Sequence, residues 1–140
     1  MQWSKLKSRI RDFICPELRG RIDFHVTNYR HSHDEAEKCW ITVDGQRILT
    51  LGWYAYHWKH SDADDQTREQ LAIHPPQHLG DAMRAYLDMS VTQALESENP
   101  FIRALAIVDR RVGVRSLHAI SVDEQDHPLV KAFYRLRISN

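Results

Sequence analysis

Cysteine is scarce. The chain has two, Cys15 and Cys39, 24 positions apart and in no C-x-x-C pair. One disulfide is conceivable, but two reduced thiols in a cytosolic protein is the better reading. Net charge is lacking too, with 19 Lys+Arg against 19 Asp+Glu. A dedicated DNA binder or a polybasic membrane protein needs a large positive excess, so both are disfavoured. Long apolar runs are missing: the longest plainly aliphatic stretch is Ala104-Leu105-Ala106-Ile107-Val108. A bilayer span takes roughly 20 apolar residues, so no membrane helix is expected. The opening Met1-Gln2-Trp3-Ser4-Lys5-Leu6-Lys7 has no apolar signal core, which points to the cytoplasm. P-loop, G-x-G-x-x-G, G-x-S-x-G and H-E-x-x-H patterns are all absent, and no cofactor is called for.

What is present suits one ordinary globular domain over residues 1–140, with 42% apolar and 27% charged residues. The neutral total hides a pattern: residues 1–30 sum to +4, residues 31–99 to −7 and residues 100–140 to +3. Fourteen of the bases are Arg, whose planar guanidinium suits paired hydrogen bonds better than Lys does. Nine histidines would push the net charge several units positive by about pH 5.5, although a solvated surface composition accounts for the count equally well.

Periodicity sets the elements. Trp3, Leu6, Ile10, Phe13 and Ile14 recur at helical spacing, and Pro16 ends that helix. From Arg21 to Tyr29 the period is two, with Ile22, Phe24 and Val26 on one side and Asp23 and His25 on the other. Residues 31–38 read as a loop, Cys39 to Val43 as a strand, Asp44-Gly45 as a hairpin turn and Gln46 to Leu51 as its partner. Residues 53–60 fit either a strand or a first helical turn, and the acidic, exposed stretch Ser61 to Asp65 can cap a helix through about Ile73, broken by Pro75-Pro76; strand or helix stays open over 53–73. Met83, Leu87, Val91 and Leu95 repeat every four residues, with a break at 89–90 where Ser90-x-x-Gln93 fits a capping box. Asn99-Pro100 reads as N-cap and N1 of a helix carrying Phe101, Leu105, Val108 and Val112, with Gly113 as its C′ residue. A strand over 102–109 is the alternative. Val114 to Ile120 is expected as a short strand, and Asp126-His127-Pro128 starts a last helix bearing Leu129, Phe133 and Leu136. The expected class is α+β: an N-terminal helix, a three-stranded antiparallel meander, then a mainly helical C-terminal half packed on the sheet.

Several stretches together resemble a family of small bacterial cytosolic proteins with no assigned activity. They are Trp3-Ser4-Lys5-Leu6-Lys7; Gly20-Arg21-Ile22-Asp23-Phe24 with Tyr29-Arg30; Trp40-Ile41-Thr42-Val43-Asp44-Gly45; and Asn99-Pro100 running through Ile102-Arg103-Ala104-Leu105-Ala106 to Asp109-Arg110-Arg111-Val112-Gly113. His127-Pro128-Leu129-Val130 with Phe133-Tyr134-x-Leu136-Arg137 completes them. The likeness spans the chain apart from 53–85. It departs from the family pattern at Val114, where a lysine is expected. The resemblance implies a bacterial, cytosolic, single-domain protein and no mechanism.

Four groups of residues bear chemistry. His31, His33 and Asp34, with Cys39 near in sequence, offer the N, O and S donors that zinc accepts, though a polar loop after a strand explains them as well. His57, His60, Asp62, Asp64 and Asp65 suit a metal hydrolase, or else an exposed acidic loop. Arg103, Arg110, Arg111 and Arg115 form an arginine surface for a carboxylate or phosphate partner. The plainer reading is that arginines near a helix C-terminus complement its dipole, and Asp109 can pair with one of them. Trp53, Tyr54, Tyr56 and Trp58 form the densest aromatic stretch, suited to an interface or to core packing. With no catalytic signature beside two surfaces of interface-like composition, the leading expectation is a non-enzymatic module binding a protein partner of unknown identity. A metal-assisted hydrolase is the alternative and weak RNA binding the third.

Overall fold

The computed structural model describes residues 2–28, 37–52 and 77–139. The chain divides into two compact units: Met1–Gly20 with Gly80–Asn140, and Arg21–Leu79. Helix α1 (Trp3–Phe13) buries Leu6 and Ile10, one turn apart on one stripe, and leaves Ser4, Ser8 and Arg9 outside. It stops where Ile14 turns to extended backbone, two residues before Pro16. Ile14 then forms an antiparallel bridge with Asp109, and the Cys15 amide donates to the Val108 carbonyl at 2.9 Å.

The sheet unit is the expected antiparallel meander of β1 (Ile22–Asn28), β2 (Glu37–Val43) and β3 (Gln46–Gly52), in the order β1-β2-β3. Strand β2 starts at Glu37, inside the stretch expected as loop, because Lys38 and Glu37 continue the pairing with Thr27 and Asn28. Asp44 and Gly45 both have positive φ, 53° and 81°, the left-handed pair that a two-residue hairpin turn requires. Asp44 also accepts from Arg21 Nε and Nη2 at 2.8 and 2.9 Å, which ties the turn to the start of β1. That pairing holds the Asp44 carboxyl below its ordinary range.

Ile22, Phe24, Cys39, Ile41 and Leu51 make the buried face of the sheet. On the other face His25 stacks on Trp40, with ring centroids 5.1 Å apart, and Arg47 lies 4.4 Å from the Trp40 ring centre. β1 and β3 flank β2 on opposite sides, so these two groups reach the indole from opposite neighbouring strands. The register shift between Ile41 and Thr42 brings Arg47 there, by pairing Thr42 with Arg47 and skipping Ile48.

In the other unit α2 (Gln77–Leu87), whose first turn holds the boundary between the units, buries Leu79, Met83 and Tyr86. It breaks where expected. Ser90 and Gln93 form a capping box for α3 (Val91–Leu95), with bonds of 3.1 and 3.2 Å. Asn99 caps α4 (Pro100–Ile107) by accepting from Phe101 and Ile102 amides at 3.0 and 3.3 Å. Helix α4 is buried nearly all round.

Two expectations fail here. Helix α4 ends at Ile107, so Val112 is not on it and Gly113 is not its C′ residue. Arg137 takes the carbonyls of Ile107, Asp109 and Val112 at 2.9, 3.0 and 2.6 Å, which removes acceptors a longer helix would use. Gly113 is extended, at φ −81° and ψ 165°, and is the N-cap of α5 (Val114–Ala119), a helix where a strand was expected. In that helix Val114 is 64% exposed and Leu117 is the one buried side chain. Helix α6 (Pro128–Ile138) begins as read, with His127 Nδ1 accepting from the Leu129 amide at 3.1 Å. The result is an α+β protein, and among the described residues no helix is long and apolar enough to cross a membrane.

Candidate functional site

The arginine-rich segment lies between α4 and α5, against the C-terminal end of α1. Its centre is Asp109, at 0% exposure. Asp109 Oδ1 accepts from the Arg111 amide and from Arg111 Nε at 2.8 and 3.0 Å. Oδ2 accepts from Arg111 Nη2 at 2.8 Å and from the Tyr86 hydroxyl in a very short bond. A carboxylate offers about four lone-pair positions, and here all are occupied. Asp109 therefore has no position open for a metal or a substrate proton; it is a closed knot joining α2 to the segment.

The aromatic groups close it further. Arg111 Cζ lies 3.9 Å from the centre of the Phe13 ring, and Phe13 meets Tyr86 edge to face at 6.3 Å. Burial, then the bond to and charge of Asp109, raise the Tyr86 phenol far above its ordinary range. Burial also raises the Cys15 thiol, which the Arg137 charge partly opposes. Both cysteines are buried and neither is in a disulfide.

Outside this knot the arginines meet backbone carbonyls. Arg19 Nε reaches the Arg11 and Ile14 carbonyls at 3.1 and 3.0 Å, and its Nη2 reaches the Asp12 carbonyl at 3.0 Å. Arg110 Nε donates to that same Asp12 oxygen at 3.0 Å, and its amide to the Phe13 carbonyl at 2.7 Å. The end of α1, where carbonyls run out of amide partners within the helix, is thus capped by guanidinium groups and the Arg110 amide. Arg103 turns elsewhere: it pairs with Asp126 at 2.9 Å and donates to the Ser121 carbonyl at 3.0 Å, binding the 121–126 turn to α4.

Of the four arginines read as a surface, Arg103, Arg110 and Arg111 are thus engaged within the fold, although Arg110 and Arg111 keep exposed surface, and Arg115 is exposed. Trp53, Tyr54, Tyr56 and Trp58 lie outside the described residues, as do His31, His33, Asp34 and the His57–Asp65 cluster. Among the described residues no group of three or more His, Cys, Asp or Glu side chains is placed to hold a metal. Sequence reading missed Tyr86, Arg19 and Arg137 as parts of this network. Tyr86 bonds to a partner 23 residues away and Arg137 to partners 25 to 30 away, separations at which no local pattern exists.

The fold and this network define an α+β protein built around a buried Tyr–Asp–Arg knot. The chain belongs to the SF0329 protein family, whose model matches residues 2–138, and that family has no assigned activity. No curated protein and no solved structure matches the chain.

Proposed function

We propose that the protein is a non-enzymatic interaction module of the bacterial cytoplasm, and that it binds a protein partner through the Arg110–Arg115 segment. The observation that carries this reading is the contrast within the segment. Its backbone is fixed by Asp109, Arg111 and Arg137, while Arg110, Val114 and Arg115 stand exposed on it. Arginine beside an exposed apolar side chain is the composition that interfaces favour. A segment held rigid before binding also loses less entropy on binding. The aromatic run Trp53, Tyr54, Tyr56 and Trp58 is the second proposed contact surface, on its composition alone.

The test is capture of partners by the tagged protein, wild type beside Arg110→Ala/Arg115→Ala and Trp58→Ala. The bound partner is expected to fall at least tenfold in the double arginine variant. Full capture by all variants removes both surfaces from consideration.

A further inference from the structure

We infer that Arg19 and Arg110, at the C-terminal end of α1, form a recognition site for the side-chain carboxylates of an acidic peptide segment. This rests on the interaction reading and names the chemistry of the partner. Each guanidinium donates to the Asp12 carbonyl oxygen at 3.0 Å, so those two donor atoms are at most about 6 Å apart. Two like charges are thereby held close with one neutral oxygen between them. The chain's own acids do not answer that charge: Asp109, next to Arg110, is taken up by Arg111 and Tyr86, and Asp12 and Glu17, nearest in sequence to Arg19, are exposed and make no ion pair among the described residues. An anion seated against both groups relieves the repulsion.

The donors to receive it are present. A guanidinium has five N–H groups. Arg110 directs only Nε inward, and Arg19 only Nε and Nη2, among the described residues. The remaining Nη donors can meet a carboxylate end-on, a different grip from the Nε and Nη2 pair by which Arg111 holds Asp109 in the same segment. Because the Nε atoms are tied to backbone, the pair is fixed in orientation before any ligand arrives. Charge decides between partners. The unit carrying the site has thirteen Lys+Arg against ten Asp+Glu, and the other has six against nine. A small positive excess suits a few carboxylates, whereas a nucleic acid needs many phosphate contacts and meets an acidic unit on the same chain.

The experiment follows the Arg19 and Arg110 Nε–Hε resonances of the full chain by NMR. The probes are hexaglutamate, hexaglutamine and hexauridylate at equal ionic strength. Saturable shifts with hexaglutamate alone are expected, with affinity at least tenfold lower in R110Q and R19Q. R110K keeps the charge but loses the Nε donor, and is expected to lose several-fold. R84Q alters an exposed arginine already paired with Asp81, and is expected to bind as wild type does. R110Q and R110K carry the test if R19Q unfolds. No saturable shift, equal shifts with hexaglutamine, tighter binding of hexauridylate, or equal loss in R84Q would each overturn the site. Partner capture by R110Q at the wild-type level also overturns it, yet leaves the interaction reading standing. Hexaglutamate binding without any captured partner supports the site and removes the interaction reading.

Discussion

Asp109 shows how one side chain can fix three parts of a fold. Its four accepted bonds come from Tyr86 on α2 and from Arg111 in its own loop, and Phe13 of α1 lies against both donors. Tyr86→Phe leaves one buried oxygen short of a donor, and the expected loss is about 1–3 kcal/mol by chemical denaturation. Arg111→Ala strips the buried carboxylate of its counter-charge. Because the Arg111 side chain is 36% exposed, water enters in its place, and the expected loss is about 3 kcal/mol, the lower end for such a break. A smaller effect for Arg111→Ala than for Tyr86→Phe would show that the ion pair is not the main tie. His127 supplies a second test. Its half-buried ring accepts from the Leu129 amide, which only the neutral form can do at Nδ1. Burial first, then the Lys131 charge, lowers its pKa to about 4. The unfolded chain takes up this proton near pH 6.5, before the folded one does. The cap's contribution is therefore complete above that pH and is lost as the pH falls toward 4. The full loss is about 3 kcal/mol, from 1.36 kcal/mol per pKa unit. His127→Asn keeps a capping acceptor without the titration, so its stability between pH 7 and 4.5 is expected to fall less steeply than that of the wild type.

Element boundaries were legible wherever the signal was local. The Ser90 box, the Asn99 cap and the Asp44-Gly45 turn each involve residues within three positions of one another, and each stands where the sequence placed it. The end of α4 was not legible, because the group that claims its carbonyls is Arg137, on another helix. Helix α5 was misread as well. Val114, expected in a strand, faces water as the first residue of a helix, and Gly113 starts that helix instead of ending α4. At the hairpin turn, a Cβ added to Gly45 meets nothing within 4 Å, so any penalty there comes from backbone conformation alone. Gly45→Ala at φ 81° is expected to lose about 1–2 kcal/mol, read as a lower urea midpoint at unchanged slope. An unchanged midpoint would show that the turn relaxes into another type.

At the level of the whole molecule, the α+β class followed from the order of periodicities, period two early and helical repeats late. The knot around Asp109 did not, apart from the pairing of Asp109 with a nearby arginine. The α1 unit draws on both ends of the described chain, Met1–Gly20 and Gly80–Asn140. Removing residues 1–20 takes away the Phe13 ring beneath Arg111 and the carbonyls that hold Arg110. The truncated chain is expected to lose a cooperative thermal transition for its helices by circular dichroism; a sharp melt like that of the intact chain would show that α1 is dispensable. The same layout sets a timetable on the ribosome. Arg110 is made 98 residues after Asp12. At about 5–20 residues per second that is a delay of roughly 5–20 s. An 11-residue helix is marginal in water by itself, so over that interval α1 has its Leu6 and Ile10 stripe without the residues that later enclose its end. The three strands, contiguous in sequence, are made in the meantime, so every strand of the sheet exists before the end of α1 can meet Arg110.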